Sequence, residues 1–165
     1  MKVLIMGPSG SGKSYYANQF KSLGLNAVDT DQIEGLSSWY DWQKKKVSIP
    51  DNADEDFLKN HEFLWDREFL KDYLRKNPDI FLFGASGNIF EMIDLFNKVY
   101  FLKVPGEVII QRLDHDTRTN PMGKTTYQKK AVLEWGHELE RKAKERGIEF
   151  IDGTLFTEAI LKLIS

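Results

Sequence analysis

The sequence predicts an α/β protein of three layers, a five-stranded parallel sheet with helices on both faces, on three observations. Short and solidly apolar runs recur along the 165 residues. Segments of helical spacing alternate with them, the rhythm of strand–helix–strand crossovers. The first run, Val3-Leu4-Ile5-Met6, passes directly into Gly7-Pro8-Ser9-Gly10-Ser11-Gly12-Lys13-Ser14. That stretch has the G-x-x-x-x-G-K-[ST] spacing of a phosphate-binding loop, in the strand-to-helix setting such a loop needs.

Residues 2–6 are too short for a helix and apolar almost throughout, so they read as a central strand buried on both faces. Glycines 7, 10 and 12 are expected to let the backbone take positive φ and bring successive N–H groups close to an anion. The helix from 12 to about 23, stopped by Gly24, aims its positive end at the same place. Residues 26–28 form a second strand that delivers Asp29 and Asp31 to its carboxyl end. From 36 to 77 the residues are aromatic and charged, with helical spacing at 54–59 and 66–76 closed by Asn77-Pro78, which marks an insertion over about 35–77. Strands follow at 80–83, 98–104 and 149–151, with helices near 89–96, 106–113, 126–146 and 157–164. The ligand of such a sheet lies at the carboxyl ends of its strands.

The loop residues Gly7, Ser9, Gly10, Ser11, Gly12, Lys13 and Ser14 point to ATP with Mg2+. The backbone would cradle phosphates, Lys13 would reach the outer ones, and the Ser14 hydroxyl would be one magnesium ligand. A carboxylate is also needed near that ion. The only acid of the third strand, Asp79, is at its far end, where the sequence closes on Gly84-Ala85-Ser86-Gly87. Strand two must supply the acid. Either Asp29 or Asp31 could hold water on the metal while the other accepts a hydrogen bond from a substrate hydroxyl, or the pair could cap the turn that follows. Trp39, Trp42 and Trp65, with Tyr40, Phe57 and Phe63, either line a site for a ring or form the insertion's own core. His61 reads as a packing residue, and Lys44-Lys45-Lys46 as a solvated face or a phosphate contact.

GxxGSGKS, then Asp29-Thr30-Asp31-Gln32-Ile33-Glu34 after strand two, a glycine-rich turn after strand three and an arginine-bearing segment before the long helix resemble shikimate kinase and the related nucleoside and nucleotide kinases. The resemblance implies strand order 2-3-1-4-5 and one kinase-like domain over 1–165. It also implies transfer of the γ-phosphoryl of Mg-ATP to a hydroxyl or phosphate of a small metabolite. Lys13, Asp31 and Arg118 would be the catalytic residues and Ser14 and Asp29 the metal ligands. Gly84 to Gly87 would line the acceptor pocket. A lid over about 114–125 would bring Arg118 and Lys124 to the phosphates with Arg112 behind them, and Gly153 would lie near the adenine. The chain departs from the shikimate kinase pattern in two places: no arginine falls between Asp31 and Arg67, and Ala85-Ser86 interrupts the glycines after strand three. The reading from another class is a nucleotide-dependent ATPase or switch that binds a partner without phosphorylating a small acceptor.

With no cysteine, the chain has neither disulfides nor zinc-thiolate sites, and 23 basic against 25 acidic residues create no field for nucleic acid or membrane. The start Met1-Lys2 leaves no room for a signal peptide before the first strand, so a cytoplasmic location is expected.

Overall fold

The computed structural model describes residues 1–50, 53–115 and 123–164. Along the chain run β1 (Lys2–Met6), α1 (Lys13–Ser22), β2 (Ala27–Asp29), β3 (Ser37–Asp41), β4 (Lys46–Val47), α2 (Glu55–Asn60), β5 (His61–Trp65) and α3 (Arg67–Lys76). Then come β6 (Ile80–Gly84), β7 (Lys98–Lys103), α4 (Gly106–Leu113), α5 (Thr126–Glu145), β8 (Glu149–Asp152) and α6 (Thr157–Ile164).

β1 is apolar beyond Lys2 because it is the middle strand: β6 and β7 flank it in parallel, and the sheet reads β2-β6-β1-β7-β8. In order of appearance this is the expected 2-3-1-4-5. Side chains alternate across such a strand. Val3 and Ile5 enter one layer with Phe20, Phe83, Ile151 and Ile160, while Leu4 and Met6 enter the other with Leu70, Leu82, Phe101 and Leu139. Phe20 of α1 meets Phe81 and Phe83 edge-on at 5.3 Å each, which fixes that helix over β6. Gly24, at φ 81°, ends α1 with the Leu25 amide donating back to Phe20 O at 3.1 Å.

Two expectations are corrected. Residues 89–96 form two 3-10 turns, Ile89–Glu91 and Ile93–Leu95, rather than a helix. Their amides reach back only three residues, Met92 to Ile89 and Leu95 to Met92, each at 3.0 Å. So short a connection cannot repay helix nucleation before Asn97, whose side chain accepts from the Lys2 amide at 2.7 Å. The insertion, besides its two expected helices, holds a second sheet, three-stranded and antiparallel in the order β4-β3-β5. Every residue of β3 is half-buried, so its pattern carries no alternation.

α5 starts at a reciprocal cap in which the Thr125 hydroxyl accepts from the Gln128 amide at 3.1 Å. The buried Gln128 side chain does more. Its Oε1 accepts from the Gly123 and Lys124 amides at 3.1 Å each, and its Nε2 donates to Ala53 O at 3.0 Å, tying the approach to α5 to the insertion. Gln128→Ala leaves these groups unpaired and is expected to cost about 2–3 kcal/mol, read from the urea midpoint.

Among the described residues no helix is long and apolar enough to cross a membrane.

Candidate active site

Gly10 and Gly12 take φ of 82° and 101°, the conformation their positions require, and the Ser11 amide closes the turn onto Pro8 O at 3.2 Å. Gly7 is different. It has no positive φ, and glycine is needed there because a Cβ would lie 2.7 Å from Ser11 Oγ and 3.2 Å from Leu102 O. Gly12 caps α1, whose first turn holds no acid to offset its positive end, and Ser14 is exposed in that turn. Lys13 lies across the loop with Nζ donating to Gly7 O at 2.7 Å and Pro8 O at 2.8 Å. Ser9 is half-buried and Ser11 buried within the same turn.

Behind the loop, Arg112 donates to Gly10 O at 3.2 Å and to Gly153 O at 3.3 Å. Tyr16 adds bonds to Gly153 O at 3.1 Å and Leu155 O at 2.7 Å. Burial pushes the Tyr16 phenol up, against the pull of Arg112, so it remains a donor. Gly153 is required by space, since a Cβ there would stand 2.6 Å from Val104 Cγ2. Arg112 and Gly153 thus meet at the rear of the loop.

β2 pairs with β6 so that Asp29 lies beside Phe83, and β1 pairs with β6 so that Met6 lies beside Gly84. Loop, acid and glycine turn therefore share one edge of the sheet. Asp29 is buried and its Oδ1 accepts from the Asp31 amide at 3.0 Å, starting the 3-10 turn Thr30–Gln32. The capping role foreseen as an alternative is thus realised with one of its oxygens. Asp31 keeps an exposed side, yet desolvation by the surrounding protein pushes its carboxyl up, the Asp29 charge adds to this, and Lys13 pulls the other way.

A raised native pKa means that folded Asp31 holds its proton more tightly than the unfolded chain does. Its contribution to stability is then greatest below the unfolded value and falls as pH rises through the folded one. Asp31→Asn is expected to raise Tm at neutral pH, by a gain that vanishes in acid. Melts at two pH values check this; a gain that persists in acid would remove the raised carboxyl as its cause.

The insertion is joined to the glycine turn by Asn88, which sequence reading passed over. Its Oδ1 accepts from the Trp65 amide and its Nδ2 donates to Trp65 O, both at 3.0 Å, so one carboxamide stands in for a strand partner of β5. The Gly87 amide adds a bond to Phe63 O at 2.7 Å. The Gly-Asn pair was the available signal. Of the aromatics, Trp39 packs on Phe57 and Phe63 at 5.6 and 5.5 Å, and Phe57 stacks on His61 at 4.0 Å. These four half-buried rings form one cluster; Trp65 is buried against Gly84 and Trp42 is exposed. Arg67 is held by both Asp94 oxygens at 2.8 and 2.6 Å and by Glu91 O, while Lys44 pairs with Glu62 at 3.0 Å. Lys124 is placed by its amide on Gln128. Arg118 and most of the expected lid lie outside the described residues.

Among the described residues no three His, Cys, Asp or Glu come together as a metal cage. The hard oxygens of Ser14 and Asp29 suit magnesium shared with phosphates, an ion that keeps several waters and needs only one or two protein ligands.

Of the solved structures similar to this one, shikimate kinase from Acinetobacter baumannii in complex with shikimate is 19% identical, with 98% of this chain and 91% of that one covered at a TM-score of 0.61. The chain has the shikimate kinase fold. Shikimate kinase from Aquifex aeolicus shares it at 21% identity and a TM-score of 0.58, over 99% of this chain and 94% of that one. A gluconokinase from Sinorhizobium meliloti, 16% identical, reaches 0.52 over 98% and 87%. No protein-family model and no curated protein sequence matches the chain.

Proposed function

We propose that the protein is an ATP-dependent small-molecule kinase. The observation that carries this is a lysine-bearing loop of phosphate-binding spacing at the same sheet edge as the Asp29–Asp31 turn. Loop amides would bind the phosphates, and Lys13 would leave Gly7 O and Pro8 O to meet the charge that develops on the transferred group. Ser14 and Asp29 would hold Mg2+, which would supply positive charge to offset that of the phosphates. Asp31 would accept the hydrogen bond of the acceptor hydroxyl and orient it, and a strong base is not required, because catalysis here is mostly positioning. Arg112 and Tyr16 would keep the loop rigid against the Gly153 segment, which would border the base. Arg118 and Lys124, from the expected lid, would close on the phosphates.

The test is incubation with Mg-ATP carrying a radiolabelled γ-phosphate and a pooled set of small hydroxy compounds. Label in an organic phosphate is expected. Label found only in inorganic phosphate, at a rate that the pool leaves unchanged, would favour an ATPase or switch instead.

A further inference from the structure

We infer that the acceptor is an uncharged hydroxyl compound, of the sugar, polyol or nucleoside kind, held at Gly84 by the Thr30 hydroxyl and the Trp65 indole. This rests on the kinase reading above. Thr30 is fully buried and Trp65 is 3% exposed, yet neither Thr30 Oγ1 nor Trp65 Nε1 has a hydrogen-bond partner. Leaving a buried donor unpaired costs about 1–3 kcal/mol, so each calls for a reason. Their polar neighbours are paired: the Trp65 backbone and the Ser86 hydroxyl bond to Asn88, and Asp29 bonds to the Asp31 amide.

The two orphans lie against one glycine. A Cβ on Gly84 would overlap the Thr30 hydroxyl and stand 2.7 Å from Trp65 Cζ2, two bonds from Nε1 in the indole ring. Gly84 closes β6 at the same edge as the phosphate loop, and Thr30 is the residue before Asp31. Both donors therefore lie at the sheet edge that carries Asp31 and the phosphate loop. Neither is reached by water in this conformation, so the inference requires β5 to part from the turn as the acceptor enters.

The chemistry of the pair selects the ligand. A hydroxyl and an indole N–H are neutral and suit hydroxyl or carbonyl oxygens, whereas a carboxylate or phosphate is bound best by arginine or lysine. Arg67 is committed to Asp94 and Glu91, Lys44 to Glu62 and Lys59 to Glu55.

The test compares kcat/KM for phosphoryl transfer from Mg-ATP to D-ribose, glycerol and adenosine with that for D-glycerate and adenosine monophosphate. The best uncharged acceptor is expected to exceed the best anionic one at least tenfold. Thr30→Val keeps shape and removes one donor, while Trp65→Phe removes the other and leaves a cavity, so each should raise the KM of that acceptor roughly three- to tenfold, with the KM for ATP unchanged. For Thr30→Val, Tm should hold or rise, because the lost hydroxyl had no partner. A purely structural role would give the opposite pattern, with Tm lowered and acceptor KM unmoved, and would overturn the assignment of the donors. Equal or better use of the anionic acceptors overturns the inference and leaves the kinase reading standing; transfer to none of the five, with phosphate released to water, removes both.

Discussion

Lys13→Ala is expected to lower phosphoryl transfer by about a hundred- to a thousandfold while leaving the protein folded. The asymmetry follows from where the ammonium is. Its bonds go to Gly7 O and Pro8 O in a part-buried loop, where water can replace it, so the loss of stability should stay below about 1 kcal/mol. During transfer no water can do the same, because negative charge grows on the outer phosphate oxygens and a positioned cation is what meets it. The same substitution removes the charge that pulls the Asp31 carboxyl down, so Asp31 should take up its proton at higher pH in the variant. Steady-state rates across pH, with a urea titration beside them, check both parts. A variant that turns over normally would remove Lys13 from the chemistry, and one that unfolds would make it a structural residue.

Gly84→Ala is expected to be the most damaging single-methyl change in the described chain, costing about 3 kcal/mol or more by urea unfolding. The reason is space rather than backbone freedom, since Gly84 does not have a positive φ. The new methyl would overlap the Thr30 hydroxyl, lie 2.6 Å from Thr30 Cγ2 and press Trp65 at 2.7 Å. Both neighbours are tethered: Thr30 in a 3-10 turn and the Trp65 backbone by its two bonds to Asn88. Relief must come from moving Thr30, and Asp31 with it, or from pushing the insertion off the turn. Acceptor-dependent transfer should consequently fall further than Mg-ATP affinity. A variant of unchanged Tm would mean that the turn yields easily and that Gly84 is not a close contact.

The five-stranded sheet could be read from residue order because each of its strands is specified locally. Lys2 to Met6, Ile80 to Gly84 and Lys98 to Lys103 are apolar runs buried on both faces, and Gly24 and Gly147 end the helices where expected. The insertion's sheet was hidden for the converse reason. Its pairs join Ser37 to Trp65 and Trp39 to Phe63 across a helix, and partial exposure of both faces erases the alternation that marks a strand. In the site, the phosphate loop and the Asp29/Asp31 pair were readable because motif spacing and backbone direction suffice to bring them together. Thr30 and Asn88 were not, since their roles depend on which side chains meet across the Gly84 turn. The function of Gly7 was misread as well: its position in the motif was clear, but the Ser11 and Leu102 atoms that exclude a side chain there come from the fold.

The attachment through Asn88 joins two parts of the molecule into one unit. β5 is hydrogen-bonded to the Gly84–Asn88 turn by one amide side chain and the Gly87 amide, and Trp65, Leu70 and Leu74 sink the insertion into the central core. In the kinase proposed above, any change in the wall that faces the acceptor would therefore be felt at the turn beside the phosphate loop.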